Sequence, residues 1–144
     1  MATVTHSVSI SAPPEKILGI LLDVERHPSW QKEVDEVEVL ERDEQGRPKR
    51  TRTVVRAVGQ AAAYVVEYDH SSATGFEYHL VQGDVMTAND FVFSVEPGDG
   101  GVSRATLSQA IDIKWPLPGF MIEKLTAKGV RDMLDSLKVK AEGE

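Results

Sequence analysis

Through most of this chain apolar residues recur at every second position, and only near its end do they switch to helical spacing. Period two places successive side chains on opposite faces of a strand, so each such run is half buried. Residues 3–10 set Val4, His6, Val8 and Ile10 on one face and Thr3, Thr5, Ser7 and Ser9 on the other. From Val34 onward, Val37 and Val39 alternate with Glu36 and Glu38, and residues 50–58 set Thr51, Thr53, Val55 and Ala57 against Arg50, Arg52 and Arg56. Residues 62–70 gather Tyr64, Val66 and Tyr68, and residues 74–82 gather Phe76, Tyr78 and Leu80. Residues 87–95 gather Asn89, Phe91, Phe93 and Val95, and residues 103–113 gather Ala105, Leu107, Gln109, Ile111 and Ile113. Turn-forming stretches separate the runs: residues 43–48, where Gly46 can take positive φ, then Gly59, then Pro97-Gly98-Asp99-Gly100-Gly101.

Three helical segments punctuate this pattern. Pro14 suits a first helical position and Glu15 suits the positive end of the helix dipole. With Ile17, Leu18, Leu21 and Leu22 at helical spacing, they predict a short amphipathic helix over residues 14–23. A second helical turn covers residues 25–30 and is expected to break at Pro28. After Trp115-Pro116-Leu117-Pro118-Gly119, residues 120–141 read as one long helix. Its apolar stripe runs through Ile122, Leu125, Gly129, Met133 and Leu137, flanked by Met121, Val130 and Leu134, opposite a charged side. The order is strand, two short helices, about six consecutive strands, long helix. That order predicts an α+β domain over residues 1–144, with a curved antiparallel sheet of about seven strands wrapped around the C-terminal helix. A curved sheet gripping a helix leaves room between them for an apolar ligand.

Composition removes several function classes. None of the 144 residues is cysteine, which excludes disulfides, zinc–thiolate sites, iron–sulfur clusters and cysteine nucleophiles. A net charge of −7 opposes phosphate-backbone binding, so no nucleic-acid partner is expected. Neither a signal peptide nor an apolar run of the roughly 20 residues a membrane helix needs is visible, so a soluble, cytoplasmic protein without membrane insertion is expected. No His-Glu-x-x-His, oxygen-rich loop or glycine-rich phosphate loop occurs, so no metal and no cofactor are expected. The basic strip Arg47, Lys49, Arg50, Arg52 and Arg56 reads as a solvated face paired with Glu36 and Glu38; an RNA or anionic-lipid patch is the alternative, without the interleaved aromatics it would call for.

The chemistry-bearing residues are few. His70, between Asp69 and Ser71, is not a triad, because adjacent strand side chains point to opposite faces; it reads as a solvated strand end. His6, His27, His70 and His79 are the imidazoles available as a neutral-pH acid or base; His79 faces away from the core, whereas His6 faces inward by alternation and is singled out as the catalytic candidate. Tyr64, Tyr68 and Tyr78 all fall on inward faces, with Thr53, Asn89 and Gln109 as further polar points among Phe76, Phe91 and Phe93. An unpaired buried hydroxyl or amide costs about 1–3 kcal/mol, so this many polar groups on one concave face suggest a cavity rather than a sealed core. Trp115 is placed at the cavity mouth and Leu125 on the covering helix, with Trp30 as an edge seal and Met86, Met121 and Met133 as adaptable filler.

Four segments carry a family likeness: residues 9–15, Ser-Ile-Ser-Ala-Pro-Pro-Glu; residues 23–30, Asp-Val-Glu-Arg-His-Pro-Ser-Trp; residues 93–97, Phe-Ser-Val-Glu-Pro; and residues 116–120, Pro-Leu-Pro-Gly-Phe. In this order they resemble the polyketide cyclase/dehydrase group of the START-like (SRPBCC) superfamily over essentially the whole chain. The resemblance implies a helix-grip, Bet v 1-like fold with a hydrophobic pocket between sheet and long helix. It implies no one reaction, since carriers, receptors and cyclases share the scaffold. The expectation is therefore a binding protein, monomer or homodimer, for a small, mostly apolar molecule: a lipid, an isoprenoid or quinone, or a polyketide-like aromatic. His6, Thr53, Tyr64, Tyr68, Phe76, Tyr78, Asn89, Phe91, Phe93, Gln109, Trp115 and Leu125 are its candidate ligand-binding residues. The alternative is a cyclase or dehydratase using a pocket histidine or tyrosine as general acid or base.

Overall fold

Strand pairing places the first strand beside the last. The computed structural model describes residues 2–57, 59–114 and 116–143. Its elements are β1 (Val4–Ile10), α1 (Pro14–Leu22), a 3₁₀ helix (Val24–Ser29), β2 (Val34–Arg42), β3 (Pro48–Ala57), β4 (Gln60–Asp69), β5 (Gly75–Gly83), β6 (Met86–Pro97), β7 (Ser103–Ile113) and α2 (Gly119–Glu142). Pro28 lies inside the 3₁₀ helix and does not break it. The seven strands form one curved antiparallel sheet in the order β1-β7-β6-β5-β4-β3-β2. Because β1 and β2 occupy opposite edges, α1 and the 3₁₀ helix must carry the chain across the sheet between them.

Local chemistry supports each corner. At the β2–β3 turn, Asp43 Oδ1 accepts hydrogen bonds from the backbone N–H groups of Gln45 and Arg47, both 2.9 Å, while Gly46 takes φ +81°. Arg47 Nε closes the turn on Asp43 Oδ2 at 2.8 Å. Gly75 pairs with Ser94, and a Cβ there would sit 1.8 Å from the Phe93 carbonyl oxygen, so only glycine lets β5 approach β6. The basic strip is paired with acids: Arg50 with Glu67 at 2.6 Å, Arg56 with Asp35 at 2.8 Å, Lys49 with Glu41 at 3.2 Å and Arg52 with Glu36 at 3.6 Å. Such exposed pairs contribute about 0–1 kcal/mol each and leave the strip a solvated face.

The core lies between the concave face of the sheet and the helices, around Ile10, Ile17, Val66, Phe93, Val95, Leu107, Val130 and Leu137. Helix α2 is turned from the expected stripe. Its buried residues are Thr126, Val130, Met133, Leu134, Leu137 and Ala141, while Phe120, Met121 and Leu125 are exposed. Two contacts anchor its C-terminal half to the end of β1 and the residue that follows it. Lys138 Nζ donates to the Ser9 carbonyl at 2.8 Å, and Glu142 Oε2 accepts from the Ser11 N–H at 2.8 Å. No helix among the described residues is long and apolar enough to cross a membrane.

Candidate functional site

A partly enclosed cavity of about 70 Å³ lies under the concave face. Strands β2 to β6 supply one wall: Val34 and Val37, Thr53, then Tyr64, Val66 and Tyr68, then Phe76 and Tyr78, then Phe91. The other wall is Leu21 from α1, Val24 and His27 from the 3₁₀ helix, Gln31 just after it, and Met133 from α2. No Asp, Glu, Lys or Arg is among these residues. A volume of this size holds a few water molecules; about 150 Å³ is the scale of an apolar cavity that admits benzene. A larger ligand therefore requires the walls to move apart.

Alternation on neighbouring strands builds the aromatic wall. Tyr78 is directly opposite Phe91, and Phe76 opposite Phe93, across β5 and β6. The Tyr78 and Phe91 rings stack at 4.4 Å between centroids and 6° between planes. Tyr68, opposite Tyr78 on β4, meets it at 5.4 Å and Phe76 at 5.7 Å. Aromatic pairs of this kind contribute about 0.5–1.5 kcal/mol beyond their buried area, which makes this wall a stiff one.

Polar groups follow one another across the same face, one per strand. Gln109 on β7 donates from Nε2 to Asn89 Oδ1 on β6 at 3.0 Å. Tyr78 faces Asn89 and Tyr64, and Tyr64 in turn faces Thr53. Burial pushes the hydroxyls of Tyr64, Tyr68 and Tyr78 up from the ordinary tyrosine value, so all three stay protonated at neutral pH. Thr51 is fully buried, and its hydroxyl faces that of Tyr68 without reaching hydrogen-bond geometry.

Sequence reasoning did not place Leu21, Val24, His27, Gln31, Val34, Val37, Val66 or Met133 on the site, and of these His27 carries the acid–base chemistry. Its Nε2 lies 2.7 Å from the Leu21 carbonyl, one of the carbonyls left open by the end of α1. Because a carbonyl only accepts, Nε2 carries the hydrogen and Nδ1 keeps a lone pair. Burial lowers the His27 pKa to about 4, against the opposing effects of the Leu21 and Ile20 backbone and the Asp23 charge. The imidazole is therefore neutral. The ring also meets Trp30 edge-on at 5.2 Å, and Trp30 packs partly buried against the core. The only signal in the sequence was histidine within an aperiodic helical turn, and nothing local says which way it faces.

Of the residues expected from sequence, Thr53, Tyr64, Tyr68, Phe76, Tyr78 and Phe91 come together on this cavity. Asn89 is buried behind Tyr78, holding Gln109 and approaching Met86 Sδ at 3.6 Å, so both amides stand off the cavity. Phe93 is sealed in the core. His6 does face inward, half buried, but β1 is the far edge of the sheet and contributes nothing to the lining. Leu125 is 44% exposed on α2 and lines no wall. Trp115 lies outside the described residues. His70 is not a solvated strand end: it is half buried, hydrogen-bonded through Nε2 to the Pro48 carbonyl at 2.7 Å and stacked on Tyr68. His79 faces outward toward Asp90 and Glu77, and no metal-ligating cluster occurs among the described residues.

Comparison with known proteins places this geometry in a family. A START superfamily protein from Mycobacterium smegmatis superposes with a TM-score of 0.93 at 26% identity, over 98% of this chain and 97% of that one. The Zhui aromatase/cyclase from a Streptomyces species superposes with a TM-score of 0.84 at 16% identity, over 98% and 93% of the two chains. A protein from Thermus thermophilus gives a TM-score of 0.85 at 23% identity, over 97% of each chain. The last two likenesses speak for the fold alone. No curated protein sequence matches. The family model described as polyketide cyclase / dehydrase and lipid transport matches residues 1–142, so this chain belongs to that family.

Proposed function

We propose that this protein binds a small, mostly apolar molecule in the cavity between the sheet and the helices. One observation carries the reading: the concave face is lined by three tyrosine hydroxyls and a histidine around apolar walls, where a sealed core would favour apolar residues throughout. The family, whose description joins polyketide cyclases with lipid transport, supports the same reading. An aromatic, isoprenoid or lipid-like ligand would lie against Phe76, Tyr78 and Phe91 and would push Met133 and Val66 apart to enter.

Binding is favoured over cyclase or dehydratase chemistry by the state of the titratable groups. Effective proton transfer needs a group whose pKa lies near the working pH. His27 is lowered to about 4 and is a weak base, while the tyrosines are pushed upward and are weak acids. His6, the expected catalytic candidate, is not on the cavity.

Native mass spectrometry of protein purified without detergent tests the reading. A bound small molecule should add mass to the 15.8 kDa chain, and Val66→Trp, which fills the cavity, should remove it. A bare chain in that spectrum, together with no response of the cavity methyl groups to added neutral aromatics, would refute it. Turnover of a poly-β-carbonyl substrate that survives in Val66→Trp would place the chemistry elsewhere.

A further inference from the structure

The binding reading leaves open what the cavity recognises beyond apolar surface, and the inference here rests on that reading. We propose that the cavity selects an uncharged ligand bearing a hydroxyl group, which donates a hydrogen bond to Nδ1 of His27, and that it rejects carboxylates. His27 is thus a specificity-determining residue.

Three observations converge. First, the tautomer of His27 is set from outside the cavity. The Leu21 carbonyl at 2.7 Å takes the Nε2 hydrogen, so the other ring nitrogen offers a lone pair and not a donor. No hydrogen bond among the described residues uses that lone pair, although the ring is part of the lining. An acceptor left free beside an apolar space matches a ligand donor.

Second, no cation on the lining compensates an anion. The fourteen lining residues include no lysine or arginine. His27 cannot serve as a cation at neutral pH, because burial outweighs the nearby Asp23 charge and holds its pKa at about 4. A carboxylate taken out of water needs a cation or several converging donors, and desolvation otherwise outweighs any apolar contact.

Third, the tyrosine hydroxyls already answer one another. Tyr64 faces Tyr78 and Thr53, Tyr78 faces Asn89, and Tyr68 faces Thr51, so each tyrosine hydroxyl has a polar neighbour on its own wall. On the helical side the polar groups of the lining are the Nδ1 lone pair of His27 and the neutral amide of Gln31. A fatty acid is therefore a poor match, whereas a phenol or alcohol on an apolar frame fits.

The test uses the full chain at pH 7 and three probes of one size: phenol, toluene and benzoate. Binding is read from the Met133 and Val66 methyl resonances, and the His27 ring nitrogens are followed in the same titrations. Phenol should move the Nδ1 resonance in the direction of an accepted hydrogen bond, toluene should leave it still, and benzoate should not bind. In His27→Phe, phenol affinity should fall about fivefold to tenfold relative to toluene, the equivalent of one lost hydrogen bond. Benzoate binding as tightly as phenol, an unmoved Nδ1 on phenol binding, or an unchanged phenol-to-toluene ratio would each overturn the inference. Should His27→Phe fail to fold, the wild-type nitrogen shift decides alone. Toluene entry with no His27 response to phenol refutes only this specificity. A cavity that admits none of the three refutes the binding reading as well.

Discussion

Replacing Thr51 by valine should stabilise the protein. Thr51 is fully buried on β3, its hydroxyl without a hydrogen-bond partner, and its cross-strand neighbours are Val39 on β2 and Val66 on β4. Valine has nearly the same shape and meets two valines. An unsatisfied buried hydroxyl costs about 1–3 kcal/mol, which the substitution recovers. With an unfolding entropy of about 2.1 cal/mol/K per residue, a chain of this length gains roughly 3–10 °C in Tm. Urea unfolding followed by far-ultraviolet circular dichroism checks the value, and an unchanged m-value would locate the effect in the folded state. Thr53→Val is the internal control: Thr53 lines the cavity and faces Tyr64, so removing its hydroxyl should give no gain. A neutral or destabilising result for Thr51→Val would mean that the hydroxyl is satisfied, with water or Tyr68 as its partner, and the reasoning from burial would fail.

Two further outcomes follow from particular residues. His27 has a folded pKa of about 4 against an ordinary value of 6.5, so the unfolded chain takes up the proton first. Its contribution is complete above pH 6.5 and is lost as pH falls toward 4, on the order of 2–3 kcal/mol across that window. Urea midpoints at pH 7 and pH 5 should differ in wild type and converge in His27→Gln; equal slopes in both would show that another group controls acid stability. Gly75→Ala should destabilise by about 1–3 kcal/mol or more, because its Cβ would meet the Phe93 carbonyl oxygen and strand β5 would have to withdraw from β6. Alanine at exposed Gly19, where a Cβ meets nothing within 4 Å, should by contrast be tolerated in thermal melts.

Much of the architecture follows from local pattern. Strict alternation over residues 3–10, 62–70 and 87–95 determined which side chains face inward, because a strand turns each residue half a revolution from its neighbours. The structure keeps Tyr64, Val66 and Tyr68 on one face, and likewise Phe76 with Tyr78 and Phe91 with Phe93. The helix α2 was legible as a helix but not in its rotation. A stripe of apolar residues broad enough to include Leu125, Val130, Met133 and Leu134 fits several orientations. In the folded chain Val130, Leu134 and Leu137 pack into the core, in the orientation that exposes Leu125.

Position within the sheet was decided only by the tertiary fold. Inward parity is a property of one strand, whereas belonging to a cavity depends on which strands are neighbours. His6 and Gln109 have the parity of the tyrosines, yet β1 and β7 lie at one side of the sheet while the cavity lies under β2 to β6. His27 shows the converse. Its segment has no hydrophobic period to read, and its tautomer, charge state and place on the cavity all arise from the carbonyls at the end of α1 and from burial against the sheet. Side-chain direction along a strand is a local steric consequence and can be read from the chain; electrostatic environment is a sum over distant segments and exists only once they are folded together.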